Sequence, residues 1–563
     1  MTERPAGTNV LRDATLSPHD LDPNRWAALV CVITALFMVL LDVSIVNVAI
    51  PAIRANLAAN DADIQFVVAG YGLSYAVMLI TGGRLGDIFG RKRLFLMGMG
   101  GFVATSALCG LAQTAIMLDL SRLAQGFMAA LMYPQVLSII QVSFPAHERA
   151  RVFGLIGAVI GIATITGPLV GGFIIRDDIT GGSWRWIFLV NVPIGVLSFI
   201  AAYRVVNESK APNATRLDLV GVAIATVGLF LLVYPLVEGQ VAGWPLWTYV
   251  CMGLSPFVLA AFVLYERSLP ATRFPLVQLS LFSIHSFRLG VPMSAVFIAG
   301  IPAFFFTFSL AVQVGLGWSA LHAGLTSVPW SIGSAVMSAI SVRFAPKLGR
   351  YTITIGSALL VLGILGVMLT VHILGVNLNS WALIPAYVIS GCGLGFVVAP
   401  LLNIILAGVP GRDAGSASGV LTTFQQLGGA IGVAVVGVVF FGLLSSRAST
   451  AVASVTPALR TELSAAHLPP QAVDRSVATF THCFEAAASS PDPTQPVPGC
   501  PSKPASGGQA ANPVSAAFQE AAQQALAHDF ISSWERVLLF NVGLWGLTGV
   551  LSLMLPAVRL HGG

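Results

Sequence analysis

Two opposite charges stand alone inside apolar sequence, Asp42 in "LDVSIVNVAIP" (41–51) and Arg122 in "SRLAQGFMAALMYP" (121–134). Charges in such surroundings are expensive and face a partner or a cavity. Burial raises the proton affinity of a carboxylate, whereas a nearby cation lowers it. A motion that altered the separation of the two groups would therefore make proton binding depend on conformation, which is what proton coupling requires. A static buried ion pair is the plainer alternative, and both stay open at this point. A third acid, Asp87, lies in "GGRLGDIFGRKR" (82–93), among glycines and basic residues. Such a mixture suits a phosphate cradle, but the spacing fails. Five residues beyond Gly86 stands Arg91 rather than glycine, and no Lys-Ser or Lys-Thr pair follows. A dinucleotide fingerprint needs a strand before it, and both flanks are long apolar runs. No HExxH, zinc-type cysteine pair or hydrolase elbow appears, so no metal, no cofactor and no covalent catalysis is expected.

The elements that must hold these charges follow from composition. Hydrophobic residues make up 56% of the 563, charged residues 9%, and mean hydropathy is +0.83. Soluble domains carry about 25% charged residues. The net charge of +5 is scattered over short loops rather than gathered on one face, which excludes nucleic-acid binding. Fourteen apolar segments can be read: 26–50, 64–86, 94–113, 117–140, 151–175, 186–206, 217–237, 246–266, 287–311, 322–342, 352–374, 381–407, 420–445 and 534–557. Lipid offers backbone groups no partners, so open-chain segments of this kind must be helices. That excludes a soluble enzyme. The first segment is too long for a signal-peptide core and no small-residue cleavage site closes it.

Lys and Arg set the orientation. The short loops after even-numbered segments hold Arg91, Lys92, Arg93, Arg149, Arg204, Lys210, Arg267, Arg343, Lys347, Arg350 and Arg412 among others. Those after odd-numbered segments hold only Arg54, Arg176 and Arg185. Both termini are thus expected in the cytoplasm, as tails 1–25 and 558–563. The segment 446–533 falls outside; it is rich in Ala, Pro and Ser, with low complexity around 486–516, and is expected to be largely disordered. Its Cys483 and Cys500 lie where disulfides are permitted, and a bridge and two free thiols are both open. Cys31, Cys109, Cys251 and Cys392 lie in apolar runs as small hydrophobes.

Asp42 stands about 16 residues into its segment, roughly 24 Å from the inner face, and Arg122 lies at a matching depth. Gln125, Gly126, Ala129 and Tyr133 share the Arg122 face by helical spacing, which suits a cavity wall or tight helix packing. In segment five, Gly157, Gly161, Thr164, Pro168 and Gly172 fall close to one face, where small residues admit a neighbouring helix. Asp119, Glu238, His285 and His322 sit near segment ends as structural residues. A degenerate internal repeat also emerges. "SVRFAPKLGRY" (341–351) lies over "GGRLGDIFGRK", matching Gly349 to Gly90 and Arg350 to Arg91, with Pro346 where Asp87 stands. A parallel repeat of six-helix halves predicts this.

"GGRLGDIFGRKR" resembles the loop 2–3 signature of the major facilitator superfamily. "LDVSIVNVAIP" is similar to the first-span signature of its fourteen-helix drug:proton antiporter branch (EmrB/QacA-like), and "SRLAQGFMAALMYP" to the fourth-span motif. "GAVIGIATITGPLVGG" (157–172) resembles the antiporter motif, "WRWIFLVNVPIG" (184–195) the outer entry of span six, and "GSASGVLTTFQQLGGAIGVAV" (415–435) carries the likeness into span thirteen. Ser44 replaces the Thr common in the branch, and Ile88 the Arg common in the loop signature.

The resemblance implies an all-α membrane protein with the major facilitator fold: halves 26–206 and 287–445 plus 534–557, and two inserted helices in 217–266. It implies coupling at Asp42 and Arg122. Gly157, Gly161, Gly167, Pro168, Gly171 and Gly172 would seal the halves against leakage. Gly83, Asp87, Gly90, Arg91 and Lys92 would form a cytoplasmic gate, with Asp87 set against the start of span thirteen. The expected protein is a monomeric proton-driven exporter of hydrophobic or amphipathic compounds in a bacterial plasma membrane. Its partners are a small-molecule amphipathic substrate, protons and membrane lipids. The alternatives are an exporter of an endogenous lipid or secondary metabolite and, more remotely, a transport-dead sensor or scaffold.

Overall fold

The computed structural model describes residues 22–57, 59, 61–177, 183–210, 218–239, 242–269, 275–489, 500 and 513–556. Most of the N-terminal tail, the C-terminal tail and most of the low-complexity stretch lie outside these. Each of the apolar segments read above is helical. The first seven helices are α1 (Arg25–Leu57), α2 (Asp61–Phe89), α3 (Arg91–Gly110), α4 (Ala115–Ser143), α5 (Ala146–Asp177), α6 (Trp186–Leu189) and α7 (Asn191–Val205). Next come α8 (Leu219–Glu238) and α9 (Leu246–Ser268). The rest are α10 (His285–Ser309), α11 (Ala320–Thr326), α12 (Val328–Leu348), α13 (Tyr351–Leu374), α14 (Ser380–Ala407), α15 (Ala414–Ala465), α16 (Pro470–Ser489) and α17 (Pro513–Ser552). Among the described residues, 10 helices are long and apolar enough to cross a membrane.

One packing scheme occurs twice. In the first set α4 packs on α2 and α3, α1 on α5, and α7 on α1 and α3. In the second α14 packs on α12 and α13, α10 on α15, and α17 on α10 and α13. The weak repeat between the two loops has a backbone counterpart. Gly90 (φ 114°) and Gly349 (φ 54°) both turn the chain in the positive-φ region that favours glycine. The sets meet where α5 lies along α12 and α14, and where α15 lies along α2 and α4. α8 and α9 pair through the Ser255 hydroxyl, which donates to the Gly228 carbonyl at 2.7 Å, and α8 rests on both α2 and α15.

The expectation of disorder across 446–533 is corrected. α15 runs for 52 residues, about 78 Å at 1.5 Å per residue, and so extends far beyond a hydrocarbon core of ~30 Å. Its far end packs with α16 and the start of α17 around Val455, Leu459, Leu463, Val473, Val477, Ala517, Ala521 and Ala525. Apolar residues recur every four positions in each of the three helices, and alanine is the strongest helix former, so the Ala-rich sequence flanking the low-complexity stretch folds as an apolar seam. Cys483, near the end of α16, is bonded to Cys500, with a Cα–Cα distance of 5.7 Å. His482 lies beside this bridge, whose sulfurs are already bonded to each other. Residues 490–499 and 501–512 are outside the described residues.

Candidate functional site

α1 and α4 bring Asp42 and Arg122 into contact. Arg122 Nη1 lies 2.5 Å from Asp42 Oδ2, and both side chains are sealed from solvent. A buried pair tolerates its loss of water only when its remaining donors and acceptors are met. In this site Gln125 Nε2 donates to Asp42 Oδ1 at 2.9 Å and Asn191 Nδ2 to the same oxygen at 3.3 Å. Arg122 Nη1 also donates to Gln125 Oε1 at 2.8 Å, and its Nε to the Val67 carbonyl at 2.9 Å. The Tyr71 ring lies 4.4 Å from the guanidinium carbon. Tyr71 stacks on Tyr75, whose ring meets Tyr133 edge-on at 6.0 Å. Tyr133 alone of the three is partly exposed. Asn191, Tyr71 and Tyr75 did not stand out in the sequence. The available signal was an amide within "WRWIFLVNVPIG" and two tyrosines one helical turn apart in α2.

The proposed cavity stripe is corrected in part. In this conformation Gln125, Gly126 and Ala129 are fully packed rather than lining open space. A Cβ on Gly126 would stand 2.2 Å from the Tyr71 carbonyl oxygen, so the glycine lets α4 close on α2. Gln125 serves the ion pair. A cavity of about 540 Å³ does exist elsewhere, lined by Trp318, His322, Thr326, Asn379, Ser380 and Trp381 near the α10–α11 and α13–α14 connections.

The small residues of α5 divide between two neighbours, correcting their assignment to one seal. Gly157 faces Ser338 of α12, whose hydroxyl donates to the Gly154 carbonyl at 2.9 Å, and Gly161 faces Ser331 and Ser334. Gly167 instead faces Ser44 on α1, within its own set, because it lies away from the Gly157 face of the helix. Gly171 is buried, and a Cβ on Gly172 would meet open space. Pro168 lies within α5, but its side chain and that of Thr164 are outside the described residues.

At the far end of α2, Asp87 crosses to the second set. Its Oδ1 accepts from Gly415 N at 3.1 Å and its Oδ2 from Ser416 N at 3.0 Å. These are first-turn amides of α15, where unsatisfied N–H groups and the helix dipole favour an anion. Arg91 Nη2 lies 2.8 Å from Asp87 Oδ1 and donates to the Gly411 carbonyl at 2.8 Å. A Cβ on Gly83 would stand 2.4 Å from the Gly415 carbonyl oxygen, so only glycine permits this approach. Gly90 and Lys92 do not reach the second set. Gly90 faces the Glu208 carboxylate, which accepts from Lys92 N at 3.1 Å, while Lys92 Nζ lies over the Tyr203 ring. Nearby, Gln141 Nε2 donates to the Leu406 and Val409 carbonyls at 3.1 and 3.0 Å. The Ser138 and Ser418 hydroxyls lie 3.2 Å apart. Neither contact stood out in the sequence.

These features define a multi-pass helical membrane protein with a buried ion pair in one of two like sets and a charged contact between them. The chain belongs to the Major Facilitator Superfamily, whose family profile matches residues 32–433, and is a transporter rather than an enzyme. It is 39% identical over 534 residues to a probable actinorhodin transporter of Streptomyces coelicolor, covering 94% of this chain and 92% of that protein. It is 32% identical to a tetracenomycin C resistance and export protein of Streptomyces glaucescens, covering 75% and 76% of the two chains. Among solved structures it resembles the human organic anion transporter MFSD10, with a TM-score of 0.54 at 16% identity, over 74% of this chain and 94% of that one. That likeness concerns the fold.

Proposed function

We propose that this chain is a proton-driven exporter of hydrophobic or amphipathic compounds that alternates access by rocking one packing set against the other. The observation that carries the reading is the sealed Asp42–Arg122 pair, a carboxylate whose hydrogen-bond partners among the described residues sit on helices of the first set. Rocking of the sets, coupled to a separation of α1 from α4 within the first set, removes the cation and admits water, so proton binding and helix position become linked. Tyr133, Tyr75 and Tyr71 form a path of ring contacts from partly exposed surface to Arg122, along which substrate occupancy reaches the pair. The halves are 26–206 and 287–445 plus 534–557, with 217–266 inserted and Asp87 on the cytoplasmic side of a bacterial plasma membrane. α2, α5, α12 and α17 complete fourteen crossings. The first three face the seam between the sets.

One proton moving down ~100 mV supplies about 2.3 kcal/mol, and one pH unit adds roughly 1.4. Together they concentrate a neutral compound several-hundred-fold, on the order of the gradient an exporter needs. A second reading, export of an endogenous secondary metabolite, is favoured by the likeness to a probable actinorhodin transporter over 94% of the chain. Both readings share one test. Reconstituted protein under an imposed pH gradient should drive uptake of ethidium, a monocationic dye, into inside-out vesicles, and Asp42→Asn should abolish it. Coupled uptake that survives in Asp42→Asn would show that the coupling carboxylate lies elsewhere. Loss-of-function profiling of metabolites against drug susceptibility then separates the two cargoes.

A further inference from the structure

The inserted helices carry a further buried carboxylate that the mechanism above does not use. Glu266, near the end of α9, is 5% exposed. One of its oxygens, Oε1, accepts from Leu276 N at 3.1 Å, while Oε2 is buried and has no hydrogen-bond partner. A Cβ on Gly221 of α8 would lie 2.8 Å from Glu266 Oε1 and 2.5 Å from Asp218 Oδ2, so these two carboxylate oxygens are within about 5.3 Å of each other. Asp218 Oδ2 also has no hydrogen-bond partner, and Tyr265 Oη donates to its Oδ1 at 2.9 Å. The charged groups acting on Glu266 are Asp218, just ahead of α8, and Arg84 on α2. Arg84 is shared, since Asp87 and Asp413 also lie within its electrostatic reach. Tyr265 is the titratable neighbour on its own helix. A buried carboxylate this close to a second one, with a guanidinium that it shares with Asp87 and Asp413, is relieved by a proton.

The segment that Glu266 holds leads directly to the latch. Two residues beyond Leu276, Gln278 N donates to Ser416 Oγ at 3.4 Å, and Ser416 N is one of the two amides bound by Asp87. α8 also rests on both α2 and α15, the two helices that the latch joins. Opening the latch moves Ser416 and therefore draws on the 276–278 connection and Glu266.

We propose that Glu266 is a second proton-binding site of this transporter, protonated while the cytoplasmic latch is closed and releasing its proton to the cytoplasm as the latch opens. The inserted pair is then part of the gate. Opening admits water beside Glu266, its carboxyl O–H gives up the proton to that water, and the resulting carboxylate resists reburial next to Asp218. This rests on the gate reading of Asp87 and is tested so that the two separate.

Spin labels on Phe89→Cys and Ala407→Cys, two exposed positions on opposite sets, report the open-to-closed ratio by electron–electron distance in the reconstituted full chain. The background lacks Cys31, Cys109, Cys251 and Cys392 and keeps the Cys483–Cys500 bridge. Between pH 5.5 and 8.5 the unsubstituted protein should open as pH rises. In Glu266→Gln, which keeps an acceptor for Leu276 N, the ratio should favour the closed state at least tenfold at high pH. Its slope should fall by one proton, up to tenfold per pH unit. An unchanged slope in Glu266→Gln, or no slope in the unsubstituted protein, overturns the proposal. So does an equal shift in Glu266→Gln and Glu266→Ala at constant slope, since Glu266 would then be only a brace. Asp87→Asn reports separately: it should be open at every pH, and a closed Asp87→Asn overturns the gate reading whatever Glu266 does.

Discussion

The two sets touch along two crossings of opposite chemistry. Where α2 meets α15, a buried carboxylate binds two first-turn amides, and a buried arginine braces it and reaches the Gly411 carbonyl. Where α5 meets α12, the contact is small and neutral: Gly157 and Gly161 against Ser338, Ser331 and Ser334, with one hydroxyl-to-carbonyl bond at 2.9 Å. The repeat explains the positions and not the difference, because Pro346 stands where the first copy has Asp87. A charged contact is strong, directional and sensitive to its surroundings, whereas close-packed small residues lose little by sliding. The charged crossing thus suits a latch that is either made or broken. The neutral one suits a bearing that stays in contact as the sets rock.

Removing one polar group from each side separates the two crossings most directly. Asp87→Asn loses hydrogen bonds to a charged group worth about 1.5–3 kcal/mol, a shift of roughly 10- to 150-fold toward the open latch. Ser338→Ala loses a neutral bond worth about 0.5–1.5 kcal/mol, or roughly 2- to 10-fold. The same distance measurement ranks them. Equal shifts would mean that the crossings do not differ in kind.

Adding one methyl group to each side gives a smaller but sharper contrast. In Gly83→Ala the new Cβ meets the Gly415 carbonyl oxygen at 2.4 Å, and that backbone cannot turn aside. In Gly157→Ala it meets the Ser338 hydroxyl at the end of a side chain that can rotate. Overpacking against backbone costs about 1–3 kcal/mol, so Gly83→Ala should open the latch and slow transport, while Gly157→Ala, which turns the Ser338 hydroxyl off the Gly154 carbonyl, should shift it about as little as Ser338→Ala does. A Gly157→Ala protein that fails as badly as Gly83→Ala would place a rigid seal at both crossings.

How much of this was legible depends on whether a residue's neighbour is local or distant. Long apolar runs announce their helices because lipid leaves the backbone no other choice. Asp42 and Arg122 stood out because a charge in apolar sequence demands an account, and Asp87 because glycines and basic residues surround it. Gln125 was placed on the correct helix face but given a cavity, because helical spacing fixes a direction and not what lies there. Asn191, Tyr71 and Tyr75 were hidden in runs that read equally well as lipid-facing. Gly167 shares a motif with Gly157 yet serves another helix, a distinction that only packing makes. α16 and the first turns of α17 escaped because alanine carries too little hydropathy to mark a seam, although it builds one well.

The smallest effect expected on the latch comes from the outer module, whose apolar seam of α15, α16 and α17 residues contributes to neither crossing. Asp529 lies on α17, before the span proposed at 534–557, and is 2% exposed with a buried Oδ1 that has no hydrogen-bond partner. Burial pushes its carboxyl from the usual 3.8 up to about 7, and the Arg447 charge on α15 offsets this only in part. The folded module therefore binds this proton more tightly than the unfolded chain does. Between about pH 4 and pH 7 the folded state carries more protons, so stability falls as pH rises through that window and levels off above it. Asp529→Asn removes the slope: the variant should match the parent near pH 4 and be the more stable of the two at pH 8. Hydrogen exchange of 513–533, measured with the Cys483–Cys500 bridge intact, reads this directly, and the open-to-closed ratio should not change. Parent protection that is flat from pH 4 to pH 8 would mean that Asp529 is hydrated in solution. A shift of the latch in Asp529→Asn would mean instead that the outer module is mechanically joined to the gate through α15, which reaches both.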